Sequence, residues 1–120
     1  MDLQRLIDFC ATRPGATLEF PFGPTPACYK WGGRIFAEVY PDPEHPKVTL
    51  RCEPEFGALV RDRWPDAVVP GYRVPLRQRR FKNTVLLDRG LPEDEVLALV
   101  VHAHATVSAV APKLPTQRDR

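Results

Sequence analysis

Gly32-Gly33 separates two apolar runs, Ala27–Trp31 and Arg34–Tyr40, and leaves the chain around it little freedom. Two glycines tolerate the positive φ of a two-residue hairpin turn. Strands joined that tightly are antiparallel. A second reversal follows in the proline-rich stretch 41–46. Residues 47–52 then alternate strictly, with Val48, Leu50 and Cys52 on one side and Lys47, Thr49 and Arg51 on the other. This is the pattern of a half-buried antiparallel strand. Residues 27–52 therefore predict a three-stranded meander.

Helical spacing brackets the meander. Leu3, Leu6, Ile7 and Cys10 follow i, i+3, i+4, i+7, predicting a helix over 2–12 that Arg13-Pro14-Gly15 stops. Residues 17–26 read as a proline-rich loop, pinned to the body by Phe20 and Phe22. Pro54 and Glu55 suit the first turn of a second helix, with Phe56, Leu59, Val60 and Arg63 as its inner stripe and Trp64-Pro65 as its stop. Residues 68–72 predict a short extended piece entering a type II turn at Pro70-Gly71. Residues 83–88 predict a further strand. Pro92 opens the last helix, with Glu93, Asp94 and Glu95 at its positive end, and apolar residues from Val96 to Val110 predict burial on most sides. The order implies an α+β fold: a two-layer sandwich, with an antiparallel sheet and helices packed on one face. One domain is expected over 1–112, followed by a flexible tail at 113–120.

The bulk properties narrow the function classes. At 43% apolar and 27% charged, the chain has the composition of an ordinary soluble domain rather than a disordered one. No apolar run approaches the ~20 residues needed to span a membrane. The start, Met-Asp-Leu-Gln-Arg, lacks the pattern of a signal peptide. A cytoplasmic, bacterial-type monomer is expected. Cys10, Cys28 and Cys52 are too scattered for a disulfide framework and read as reduced, buried thiols.

Charge gives the one chemical direction. Arg73, Arg77, Arg79, Arg80 and Lys82 fall in a single segment with no carboxylate among them. The chain carries 17 cations and 15 acids, so the remaining 12 cations against 15 acids leave −3 elsewhere. All excess positive charge sits in residues 72–83. Such a segment is a candidate footprint for DNA phosphates. Asn83, at its end, could contact backbone or a base edge. Five neutralised phosphates would give a salt slope of about −4.5. The competing reading is a solvated loop whose arginines pair with Asp62, Asp66 and neighbouring acids. The sequence pI of 8.6 also lies below the >9 typical of nucleic-acid-binding domains.

Several short motifs in order carry a resemblance over nearly the whole chain. They are Arg13-Pro-Gly-Ala16, Phe20-Pro-Phe-Gly23, the hairpin from Lys30 through Gly32-Gly33 to Phe36, and Leu50-Arg-Cys-Glu-Pro54. Pro70-Gly-Tyr72, Asn83-Thr-Val85 and Leu91-Pro92 complete the set. The chain resembles the MmcQ/YjbR family, also called the domain of unknown function 419. The resemblance implies a frataxin-like two-layer sandwich and a DNA-binding role through wing-like loops. The family pattern ahead of Asn-Thr is His-Trp, whereas this chain has Phe81-Lys82, so Lys82 occupies the tryptophan position. A frataxin-like fold also raises iron, but the first helix offers only Asp2 and Asp8 where clustered carboxylates are required.

Other sites are weaker on sequence grounds. Lys47, Thr49 and Arg51 could form a base-stacking sheet face if Tyr29, Trp31, Phe36 and Tyr40 join them, or those rings could simply pack beneath the proline-rich loop. His102 and His104, two apart on a helix, point to different faces and do not share a metal. His104 reads as a packed core residue, and His45 lies in a turn. Ser108 is the only serine, sits in an apolar helix, and no phosphate-binding glycine loop is present. No catalytic residue, cofactor or metal is expected. The alternative to DNA binding is a protein-interaction module using the sheet face or the proline-rich loop. A third reading is a small-molecule site between sheet and loop, which a deep pocket with converging polar groups would favour.

Overall fold

Asp2 caps the first helix, α1 (Leu3–Ala11), its side chain accepting from the Gln4 amide in the computed structural model, which describes residues 1–112. The chain continues through β1 (Thr17–Glu19), β2 (Ala27–Trp31), β3 (Arg34–Tyr40) and β4 (Lys47–Arg51) to α2 (Pro54–Arg63). Then come β5 (Val68–Pro70), a 3-10 helix (Leu76–Phe81), β6 (Lys82–Leu86) and α3 (Glu93–Ser108). The strands form one sheet in the order β1-β2-β3-β4-β6-β5, antiparallel throughout. Positive φ at both Gly32 and Gly33 makes the tight hairpin.

Cross-strand partners share a face, so register sorts the side chains into layers. Ala27, Val39, Val48, Val85 and Val68 align across five strands, and Tyr29, Ala37, Leu50 and Asn83 across four. This face meets Leu6 and Cys10 of α1 and Val96, Val100, Ala103 and Val107 of α3 in the main core. All three helices lie on it, giving the expected two-layer α+β sandwich. The register between β2 and β3 slips after Tyr29, leaving Phe36 as an extra residue. A bulge of this kind re-aims a side chain. Phe36 is fully buried, edge-on to His104 at 5.4 Å.

The structure corrects several local expectations. Thr17–Glu19 is an edge strand rather than the start of a loop, because the prolines begin only at Pro21. Phe20 and Phe22 do not pin the loop: they are 52% and 65% exposed. The inner face of α2 is Gly57 with Val60 and Arg61, while Leu59 is exposed. The α3 helix buries one face only, with Val101 among its exposed residues. No positive φ falls on Gly71; the left-handed residue is Arg73, at φ 55. Tyr29 and Phe36 belong to the core, not to an aromatic outer face.

Gly57 explains how α2 reaches the sheet. A Cβ there would lie 2.6 Å from Cys52 Sγ and 3.3 Å from Asn83 Nδ2. Gly57→Ala is expected to lower unfolding stability by about 1–3 kcal/mol through overpacking, despite alanine's better helix propensity. Denaturant unfolding checks this.

The start of α2 is also tied to α3. Glu53 accepts from the Glu55 and Phe56 amides at 3.3 and 3.0 Å, and its own amide donates to His102 Nε2 at 3.1 Å. Burial pushes the His102 pKa below its ordinary 6.5. The unfolded chain then binds the proton more readily than the folded one. Stability is therefore full above pH 6.5 and declines as pH falls from there toward the lower folded value. His102→Gln, which keeps an acceptor but does not titrate, should remove this part of the decline in melting scans across that window.

Candidate nucleic-acid interface

The segment from β5 to β6 is anchored at both ends before it reaches solvent. Gly71 N donates to Lys82 O at 3.1 Å, and Tyr72 N to Thr84 Oγ1 at 2.7 Å. Thr84 Oγ1 is in turn 2.7 Å from Thr49 Oγ1. Val74 is buried and packs where only a glycine at 71 permits it, since a Cβ there would meet Val74 Cγ2 at 2.6 Å. The chain then turns through Pro75 into the 3-10 helix, with Gln78 N donating to Pro75 O at 2.9 Å.

That helix presents the arginines. Its three-residue repeat stacks Arg77 and Arg80 on one side. Arg79 Nη2 donates to Val74 O at 3.3 Å, which orients its guanidinium. Arg80 sits 4.8 Å from the Phe81 ring centroid, and Arg51 of β4 lies 5.7 Å from the same ring. Arg73, Arg77, Arg79 and Arg80 are all exposed. Among the described residues, none of the four has a carboxylate within 4.0 Å. The alternative pairing with Asp62 or Asp66 does not form there.

Two of the six residues read from sequence as DNA contacts belong elsewhere. Lys82 Nζ lies 3.2 Å from Glu38 Oε2 in a largely buried ion pair. Asn83 is 5% exposed, donates to Gly57 O at 3.1 Å and accepts from Arg61 Nη1 at 2.6 Å. Its amide is spent holding α2 to the sheet and is not presented to solvent. The alternation of β6 turns Asn83 toward the helices because Gly57 leaves room for it.

Sequence reasoning raised a site between the sheet and the proline-rich loop only as its third reading, and did not foresee the part that the basic segment plays in it. On the sheet face away from the helices, Glu38, Tyr40, Lys47 and Lys82 floor a cleft of 780 Å³. Phe22, Thr25 and Pro26 stand on one wall, and Tyr72 to Pro75 with Gln78 on the other. Tyr40 OH lies 3.4 Å from Glu38 Oε1; burial first, then the Glu38 carboxylate, push its phenol up to about 12. Tyr40 and Tyr72 meet edge to face at 5.4 Å, and Lys47 Nζ lies 4.9 Å from the Tyr72 centroid. Of the aromatics considered for this face, only Tyr40 belongs to it. The alternation of residues 47–52 marked the face as outward, but not that loops distant in sequence would wall it.

The remaining candidates are structural. His104 Nε2 lies 2.7 Å from Pro14 O. Cys10, Cys28 and Cys52 are buried thiols, and burial pushes Cys10 up to about 12 and Cys28 to about 11. Among the described residues no three His, Cys, Asp or Glu side chains converge on a possible metal position, and no helix is long and apolar enough to cross a membrane.

Comparison with solved structures agrees with this architecture. The Deinococcus radiodurans protein DR2400, described as a DUF419 domain, superimposes with a TM-score of 0.81 at 22% identity, covering 98% of this chain and 85% of that one. A crystal structure of a Pseudomonas syringae protein gives 0.73 at 18% identity, covering 89% and 99% of the two chains. A solution structure, also of a Pseudomonas syringae protein, gives 0.69 at 18% identity, covering 89% and 93%. These likenesses establish the fold. No curated protein matches. The YjbR family matches residues 11–106, which contain every strand, α2 and the basic segment, and the chain belongs to that family.

Proposed function

We propose that this protein binds DNA phosphates through the outward side of the 3-10 helix, with weak or no sequence preference. The observation that carries the reading is the exposure of Arg77, Arg79 and Arg80 without a carboxylate within 4.0 Å among the described residues. Guanidinium forks match phosphate oxygens in pairs and remain charged at any working pH. Arg73 and Arg51 extend the cationic surface on either side. With Lys82 committed to Glu38, the four segment arginines Arg73, Arg77, Arg79 and Arg80 support a salt slope of about −3.6. The reading carries no base specificity, because no carboxylate accompanies the arginines in the 3-10 helix and its one side-chain amide, Gln78, lines the cleft instead.

Exposed Phe20, Phe22 and Leu76 favour a second reading, a protein partner covering apolar surface. Backbone amide spectra separate the two. Duplex DNA should shift Arg77 through Phe81 and Arg51, and leave Phe20 and Phe22 in place. Failure of the 77–81 amides to respond while the protein binds DNA would reject the assignment.

A further inference from the structure

We propose that the cleft beneath the basic segment binds a single nucleotide: an anionic group attached to a flat ring whose edge carries N–H donors. The reading goes beyond phosphate contact by the outer arginines, because Arg77, Arg79 and Arg80 do not line the cleft. Its volume, 780 Å³, lies within the roughly 300–1,000 Å³ of small-ligand sites.

Three features of the lining fix the ligand class. The first is charge. Glu38 is matched by Lys82, while Lys47 and Arg73 have no carboxylate within 4.0 Å among the described residues. Both sit beside the Tyr72 ring, at 4.9 and 5.2 Å from its centroid, so a cation of the floor and one of the wall flank the same ring. That corner suits a phosphate. Asp42 is also a lining residue, but it accepts from the Glu44 amide at 2.9 Å, an interaction that already occupies part of its carboxylate.

The second feature is flat apolar surface. Phe22, Pro26, Pro41 and Pro75 line the cleft, and the Phe22 ring is 65% exposed. An unpartnered ring beside a cationic corner is the combination that stacks bases next to a held phosphate. The third is a buried acceptor. Glu38 takes one contact on each oxygen, Tyr40 OH at 3.4 Å and Lys82 Nζ at 3.2 Å, and each oxygen has lone-pair capacity left. Facing the cleft, it accepts from amino or imino N–H groups. A phosphate ion alone uses only the first feature; an apolar acid uses the first two. A nucleotide uses all three, whether free or as an unpaired unit of a strand.

The test is an amide-resolved NMR titration of the whole chain with the common ribonucleoside monophosphates, a short single-stranded oligonucleotide and inorganic phosphate. Two variants accompany it. Arg73→Gly removes a cation where φ is 55, a conformation glycine adopts freely, so folding is retained. Phe22→Ser removes an exposed ring. Saturable shifts at Glu38, Lys47, Tyr72 and Lys82 are expected, with binding on the order of 1 mM or tighter. Each variant should weaken it roughly tenfold, and Arg77/Arg79/Arg80→Ala should leave the affinity for mononucleotides unchanged. Saturation by mononucleotides identifies a free ligand; saturation only by the oligonucleotide identifies a strand unit. Cleft amides unmoved by every nucleotide, or inorganic phosphate binding as tightly as the nucleotides, would overturn the proposal. Because Arg77, Arg79 and Arg80 are absent from the cleft, failure here leaves DNA binding through those three standing, and the reverse.

Discussion

Replacing Arg77, Arg79 and Arg80 together by alanine is expected to flatten the dependence of log K on log salt by about 2.7 units for duplex DNA. Each guanidinium that meets a phosphate releases condensed counterions, and losing three contacts removes three such terms. Binding at low salt should weaken by more than tenfold in the same experiment. Stability should scarcely change, because the three side chains are exposed and make no ion pair among the described residues. Arg79 is the exception to watch, since its bond to Val74 O helps hold the start of the 3-10 helix. A triple variant that melts like the parent yet keeps the parent's salt slope would remove the 3-10 helix from the interface.

Lys82→Met should behave in the opposite way. Lys82 and Glu38 are 16% and 9% exposed at the side chain, and their 3.2 Å pair lies across the cleft floor. Removing the ammonium leaves a nearly buried carboxylate with only the long Tyr40 contact. Breaking a buried pair from one side costs about 3 kcal/mol, or roughly 10 °C in melting temperature. Adding Glu38→Gln should recover most of the loss, because the uncompensated charge disappears with it. The salt slope for DNA should not move. A variant of normal stability whose slope flattens by about one unit would instead make Lys82 a phosphate contact, as its place in the basic run suggested.

The contrast between Arg77 and Lys82 marks how far this sequence could be read. Local signals were strong where period and turn chemistry agreed. Gly32-Gly33, the alternation through Val48 and Leu50, and the Leu3-Leu6-Ile7-Cys10 stripe each specify an element without reference to the rest of the chain. The sheet and its single helical face followed from them. Three-residue β1 was invisible because Thr17–Glu19 is too short to carry a period, and its pairing with β2 is settled by tertiary contact. The phase of α2 was misjudged for a related reason: Leu59 and Phe56 looked inward by hydropathy, yet Gly57 decides the approach by having no side chain. Whether Phe36 packed inward or faced out could not be read locally, because a single extra residue in β3 sets its register.

The candidate site divides along the same line. The outer arginines were legible because a charge run in a loop between strands has few places to go but solvent. Lys82 and Asn83 were not, because β6 begins at Lys82 and the fates of both depend on partners far away in sequence, Glu38 in one case and Gly57 and Arg61 in the other. The cleft draws on residues from Phe22 to Lys82, contributed by five separate segments, and no local pattern announces such convergence.

The most direct measurement is fluorescence anisotropy of a labelled random-sequence duplex with the intact protein, from about 50 to 200 mM salt. Binding that weakens with a slope of about −3.6 is the result expected of four arginines meeting phosphates. No binding at the lowest salt, or binding indifferent to salt, would contradict it and turn attention to a protein partner at Phe20 and Phe22.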